Sequence, residues 1–516
     1  MGIEHPPTAT RRSDLPNPRT TPNVTYDPSL SALREASTHL ETTTEYDSPS
    51  YVSEYRSRSA DLTKTTIDDE FASADYSVVA DAIDRIGEGE WVCLDRRMGR
   101  HDAVSAVCRL FVPREYARIA LAWGKLFEPV DTDQRVDAEE PVEPDYVTVQ
   151  VPDADETAIR VLAEEGITAV VGSDYTGEAK KSFLRLFMWE AKREGGLGLH
   201  AGSKRVTVRT DANDLETKGQ LFLGLSATGK STLTAHGLWL DEDDGEAASM
   251  LQDDVCALTP DGEVAGSEGA GLFIKTMGLD PEEQAALYDA ATHESAVLEN
   301  VAVDDDGTVH FDEDRYGTNS RAIVRREHLE SADDEIDLGR VDQVFFITRN
   351  PLMPPVAKLD ETEAAVAFML GESIQTSAGD PNAAGEAIRV VGTNPFIMGS
   401  ECEEGNRFRE LVADLDVECY VLNTGCVGDG DDARDVGVRE SVTILREIAR
   451  GSVQWTDDDR TGLTVPSEVP EMNVEDYRVP DHVEDYEQAA ADLREERRAY
   501  LRQFEDLDDD VVSAVY

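Results

Sequence analysis

A chain of 516 residues with 107 Asp and Glu against 48 Lys and Arg carries a formal charge of −59, so nucleic acid and anionic membrane are excluded as partners because both would be repelled. At 40% hydrophobic content the chain has material for a large core and two to four domains, and no apolar run approaches the ~20 residues that span a bilayer. So acidic a surface repels itself unless salt shortens the Debye length to about 3 Å near 1 M, which indicates a salt-adapted cytoplasm. Folding and activity are therefore expected to need molar KCl or NaCl. A cooperative thermal transition with the same midpoint in dilute buffer would show that the acidic surface is no salt adaptation.

Residues 1–48 are rich in Pro, Thr and Ser without periodicity and are expected to form a flexible arm. A helix over 76–86 follows, then strands at 91–94, 107–112, 146–151 and 168–172, with a helix over 115–127 before the third. A long helix from 177 to 193 closes this α/β domain, placed at 49–196. Gly195 and Gly196 break the chain before a second domain at 197–516. Strands are expected there at 204–209, 221–223, within 247–258 and at 343–348. Helices are expected at 231–240, 361–369, 406–415 and 438–450. Residues 304–314 read as an acidic surface hairpin, and 482–504 as an amphipathic helix packed on the domain.

The six cysteines have no C-x-x-C or zinc spacing and are expected to be reduced and mostly buried, as in the cytosol. The first residues show no basic-then-apolar leader pattern, and a soluble cytoplasmic protein is expected. Only ten of the 48 basic residues are Lys, so some of them, Lys180, Lys181 and Lys230 among the candidates, should stand where a compact amine is required.

The most specific motif is Gly224-Leu225-Ser226-Ala227-Thr228-Gly229-Lys230-Ser231, a complete GxxxxGK[ST] phosphate loop between a short apolar strand and a helix. Its glycines let successive N–H groups turn inward around phosphates, and the helix start adds to that field. Lys230 reaches the β- and γ-phosphates, and the Ser231 hydroxyl can ligate the metal ion of the nucleotide. Thr232 continues the loop into the helix. Upstream lies Tyr175-Thr-Gly-Glu-Ala-Lys180-Lys181, where adjacent lysines near a helix start repel each other unless an anion is present. His200 comes nineteen residues later. Downstream, an apolar strand ends in Asp253 and Asp254, the shape of a nucleotide-metal site. Acidic pairs arise by chance about twenty times in so acidic a chain, and this one counts only for its place after the loop.

Taken in order, these residues resemble ATP-dependent phosphoenolpyruvate carboxykinases, of an acidic, haloarchaeal type. The resemblance continues through Glu268-Gly269-Ala270 to Lys275-Thr276, Val297-Leu298-Glu299-Asn300-Val301, Asn319-Ser320-Arg321, Met353-Pro354-Pro355-Val356 and Tyr420-Val421-Leu422-Asn423-Thr424-Gly425, over roughly residues 50–505. It implies a two-domain α/β carboxykinase fold, with the phosphate loop in the C-terminal domain, the active site in the interdomain cleft and a lid around 370–381. It implies conversion of oxaloacetate and ATP to phosphoenolpyruvate, ADP and CO2 in gluconeogenesis, by a monomer or small homo-oligomer.

By the same resemblance, Lys181, His200 and Asp254 would hold a catalytic Mn2+, and Ser231 would serve the nucleotide-bound Mg2+. Lys181 must be neutral in that role. Tyr175 would contact oxaloacetate or phosphoenolpyruvate, Lys180 would stabilise transferring charge, and Arg321 would bridge nucleotide and substrate. Lys230 and Asp253 complete the catalytic set. Glu268, Val436 and Ser441 would lie at the nucleotide, and Arg58 is the best match to the substrate arginine of the family. The chain departs from the family at Asp435, which stands where an arginine is usual near the adenine, and in the lid, which lacks the usual lysine. Two other readings remain open at this point: a divergent kinase of small molecules or proteins on the same scaffold, and a nucleotide-sensing protein without turnover. The lysine pair and His200 count against both, since plain phosphoryl transfer needs no second metal cage.

Overall fold

A computed structural model of the chain describes residues 10–54, 62–67, 70–130, 141–210, 212–225, 227–282, 284–374 and 387–516. The chain folds as two compact units, one of residues 1–190 with 267–330 and the other of residues 191–266 with 331–516.

In the first unit, an eight-stranded mixed sheet runs in the order Val24–Tyr26, Trp91–Met98, Ala106–Pro113, Tyr146–Val151, Ile167–Val171, Ala158–Leu162, Thr63–Thr65, with Glu128–Pro129 paired to Trp91–Met98. Its central strands are β-branched and buried on both faces, which is why they read as continuous apolar runs. The helix Ser73–Asp84 covers one face with Val79, Ala82 and Ile83. The helix Ala117–Leu126 meets the long helix Thr176–Arg193 where Trp123 and Phe183 lie ring to ring at 5.1 Å.

Two features of this unit correct the expectations. Residues 10–48 are no flexible arm: Val24–Tyr26 pairs in parallel with the strand Trp91–Met98, and Leu30–Ala36 is a helix capped by Ser29. The linear domain boundary at 196/197 also fails, because residues 267–330 return to the first unit. The cause is pairing. Val297–Glu299 lies parallel to Pro49–Tyr51, in a sheet of order Gly271–Lys275, Arg321–Arg325, Val297–Glu299, Pro49–Tyr51, Thr42–Thr43. No periodicity within either segment could announce a pairing across about 250 residues.

In the second unit, the strand Leu215–Gly224 sits third in a sheet of order Ala247–Gln252, Ala201–Arg209, Leu215–Gly224, Gln343–Thr348, Glu418–Asn423, Val356–Leu359, Leu463–Glu468, Gln454–Asp458. Side chains alternate across it. Leu221 and Leu223 face the core of helices Glu361–Leu370 and Glu401–Leu415, while Phe222 faces that of Val438–Arg450. Phe222, Phe345 and Tyr420 are register partners on three adjacent strands and stack at 5.3 and 5.2 Å, each burial worth about 1.5–3 kcal/mol.

The hairpin expected at 304–314 forms between Ala302–Val303 and Val309–His310. The tail helix, Tyr486–Leu501, packs Tyr486, Ala490, Arg497 and Leu501 inward, with Arg497 bonded to Glu372 at 2.7 Å. All six cysteines are free, and only Cys426 is not fully buried. Among the described residues no helix is long and apolar enough to cross a membrane.

Candidate active site

The phosphate loop leaves the sheet at Gly224. A Cβ there would sit 2.6 Å from Thr228 Oγ1, so the residue must be glycine for the loop to fold back on its own strand. Ala227 and Gly229 both take left-handed backbone, at φ +68° and +97°. Such residues turn N–H groups to one side of a loop, as phosphate binding requires. At Ala227 this costs about 1–2 kcal/mol, a strain retained at the site. Thr228 closes the turn by donating its hydroxyl to Leu225 O at 2.8 Å, and Thr424 donates to Thr228 O at 2.7 Å from the neighbouring strand end.

The helix after the loop runs only from Lys230 to Ala235, shorter than the expected 231–240, because His236 turns extended at ψ 133° and Leu238 and Trp239 beyond it adopt left-handed backbone at φ +57° and +49°. Beneath it, the fully buried Lys204 donates to Leu233 O and His236 O, each at 2.5 Å, capping the helix end. Burial pulls its pKa down to about 7. A compact amine fits there and a guanidinium would not, as the scarcity of lysine led one to expect.

His200 and Asp254 come to this loop from its two flanks. His200 precedes the strand Ala201–Arg209, whose Ala201 pairs with Leu223, so His200 lies level with Gly224. Asp253 and Asp254 follow directly on the strand Ala247–Gln252. Asp254 Oδ1 lies 3.0 Å from His200 Nε2 and 3.8 Å from Lys230 Nζ, and Asp253 is buried beside it. His200 Nδ1 is 2.5 Å from Thr393 O. A carbonyl only accepts, so Nδ1 carries a proton and donates to it, while Nε2 faces a carboxylate oxygen. Two donors of that kind fit a divalent cation, since adjacent ligands about 2.1 Å from one ion lie about 3 Å apart. Among the described residues no three of His, Cys, Asp and Glu are grouped so that they could hold a metal ion.

In the first unit, Tyr175, Lys180 and Arg321 gather round the ring of Phe273, at 6.2 Å (ring to ring), 5.1 Å and 5.8 Å. Lys180 is buried with Nζ 3.0 Å from Glu268 Oε2, and Lys181 Nζ lies 3.4 Å from Glu178 Oε1 and 5.6 Å from the Tyr175 ring. The anions that relieve the lysine pair are thus two carboxylates of the protein. Glu268, expected at the nucleotide, faces Lys180. Burial pushes the Tyr175 hydroxyl up to about 12 against the opposing Arg321, so it stays a neutral donor.

The helix bearing both lysines is held at its start by Glu299, whose Oε1 accepts from Thr176 N at 3.0 Å, Ser53 Oγ at 2.7 Å and Arg118 Nη1 at 3.1 Å. Arg118 in turn grips Asp174 Oδ2 at 2.6 Å. Phe273, Arg118 and Asp174 went unmarked in the sequence: an aromatic in a strand and single charges carry no motif. Val436 and Ser441 are buried around the start of the helix Val438–Arg450, while Asp435 is exposed. Arg58, Ser226 and lid residues 375–381 lie outside the described residues.

The family model for phosphoenolpyruvate carboxykinase matches residues 47–475. The chain belongs to the ATP-dependent phosphoenolpyruvate carboxykinase family. It is 34% identical over 430 residues to the phosphoenolpyruvate carboxykinase (ATP) of Aeropyrum pernix, covering 82% of this chain and 83% of that protein. It is 27% identical to the proteins of the same name from Alkaliphilus oremlandii and a Chelativorans species, over 67% and 61% of this chain and 64% and 57% of theirs. Membership in this carboxykinase family decides against the two other readings left open by the sequence.

Proposed function

We propose that this chain converts oxaloacetate and ATP to phosphoenolpyruvate, ADP and CO2 with the residues described above, a reading carried by the placement of Asp254 between His200 and the phosphate-loop lysine. A carboxylate shared by a metal-type histidine and the γ-phosphate lysine is what a decarboxylation coupled to phosphoryl transfer needs. Tyr175 donates a hydrogen bond to oxaloacetate, and Lys180 and Arg321 supply positive charge beside it. As the bond to the departing carboxylate breaks, its electron pair passes to the ketone oxygen, where those cations stabilise it. That enolate oxygen then forms a bond to the γ-phosphorus as the bond to the bridging oxygen of ADP breaks. Lys230 holds the transferring group in line. Glu268 positions Lys180, and Glu299 with Arg118 positions the helix that carries it. The residues that would hold Mn2+ are Lys181, His200 and Asp254, with Ser231 for Mg2+ on the nucleotide; when bound, the ions polarise the carbonyl and neutralise phosphate charge. We infer a cytoplasmic monomer or small homo-oligomer acting on small molecules.

The test is oxaloacetate-dependent formation of ADP and phosphoenolpyruvate in molar salt, run side by side with ATP and GTP. Turnover is expected, with the higher kcat/KM for ATP because the loop is of the ATP type. A GTP preference would trace to Asp435 and defeat the base assignment alone. No phosphoenolpyruvate with either nucleotide would defeat the reaction.

A further inference from the structure

Arg349 stands out by what it does not touch. Of the deeply buried arginines, Arg109, Arg118, Arg446 and Arg497 each meet a carboxylate, at 2.7, 2.6, 2.7 and 2.7 Å, while Arg326 donates to the carbonyl of Glu268 at 3.0 Å. Arg349 is half-buried, its Nε is fully buried, and among the described residues that Nε has no acceptor and the guanidinium no carboxylate within ion-pair distance. In a chain with 107 acidic residues, this is not for want of anions. Burial lowers its pKa from the ordinary value, since a desolvated cation without a counter-ion is unfavourable. Such a cost persists where an incoming anion offsets it.

Its position indicates the anion. The strand Gln343–Thr348 runs parallel to the phosphate-loop strand, with Ile347 paired to Gly224, so Arg349 leaves the sheet on the same edge as the loop. Ligands of parallel sheets bind beyond this edge. Thr424 donates to Thr228 O in the loop at 2.7 Å and to Thr348 O at 3.3 Å, tying the loop to the residue before Arg349. The next residue, Gly425, makes room for the arginine stem: a Cβ there would lie 3.2 Å from Arg349 Cβ. The backbone is pinned on both sides, with Arg349 N donating to Ser373 Oγ at 3.2 Å and Arg349 O accepting from Ile374 N at 2.9 Å. The backbone that carries the guanidinium is thus fixed beside the loop.

We propose that Arg349 is a second phosphate-binding cation, contacting the phosphate oxygens of a nucleotide held by loop 224–231. The inference rests on the assignment of that loop to ATP. Arg349→Met in the full chain, in molar KCl, should weaken Mg-ADP and Mg-ATP binding about 10–100-fold, as loss of a charge-assisted contact does. Adenosine and phosphoenolpyruvate should bind as before, and Arg349→Lys should restore part of the loss. The thermal midpoint without nucleotide should not fall, because an uncompensated buried cation has been removed, while the ADP-induced rise in midpoint shrinks. A purely structural arginine would give the reverse. The inference is overturned if Arg349→Met keeps ADP affinity within twofold while Lys230→Ala loses it, or if only phosphoenolpyruvate binding moves. It is also overturned if the midpoint drops with affinities unchanged. Absence of any ADP effect on the unaltered protein would instead overturn the loop assignment itself, and Arg349 with it.

Discussion

Lys230→Ala should lower kcat for phosphoenolpyruvate formation on the order of 10²–10³-fold while leaving the fold intact. The argument is electrostatic. The lysine stands at the first position of the helix after the loop, with its ammonium largely excluded from water and 3.8 Å from Asp254 Oδ1. A cation so placed stabilises charge developing on the γ-phosphoryl group, and preorganised charge in a site shielded from water is worth about 3–4 kcal/mol to a transition state. Its structural contribution is small by comparison. Alanine is the better helix former, and the loop is closed by Thr228, Leu225 and Thr424 without the lysine side chain. The thermal midpoint should shift by a few degrees at most. Steady-state kinetics and a thermal melt on the same preparation check both halves. Near-normal turnover would remove this loop from the chemistry, and loss of the cooperative melt would mean that the lysine serves the fold.

What could be read from the sequence divides along physical lines. Elements whose residues sit on one periodic pattern were legible: the strands 146–151 and 343–348 and the helix 438–450 appear with the expected bounds. Lys180, Lys230 and Asp254 could be singled out because a lysine pair, a phosphate loop and a strand-end carboxylate each have a local signature, whereas His200 has none and was reached only through the resemblance. What remained hidden is what pairing over long distances decides. Nothing local ties Glu299 to Ser53 and Thr176, yet that carboxylate fixes the start of the helix on which both lysines stand. The early end of the loop helix was hidden for a similar reason: Leu238 and Trp239 are ordinary helix residues, held left-handed by their surroundings. Arg349 was hidden most completely, since its character lies in a missing partner.

His200→Ala should weaken Mn2+ binding about 100-fold or more and slow oxaloacetate decarboxylation in parallel, while ADP affinity stays within a few-fold. Each ring nitrogen of the histidine has a neighbour of its own. Nδ1 donates to Thr393 O, which fixes the plane of the ring, and Nε2 is held 3.0 Å from Asp254 Oδ1. An alanine removes the nitrogen donor and releases the carboxylate that it faces, so two members of the site are lost or loosened together. The phosphate loop keeps its own closure, and Ser231 remains for the magnesium of the nucleotide, so nucleotide affinity separates metal loss from collapse of the site. Titration of Mn2+ by its electron paramagnetic resonance signal, beside ADP binding on the same variant, reads the two quantities independently. Unchanged Mn2+ affinity would leave His200 as a structural partner of Thr393 and Asp254 and would dismantle the proposed cage. Parallel loss of both affinities would show that the histidine supports the loop rather than the ion. The expected split, metal lost and nucleotide kept, is the signature of a carboxykinase, because only the decarboxylating half of the reaction calls on this imidazole.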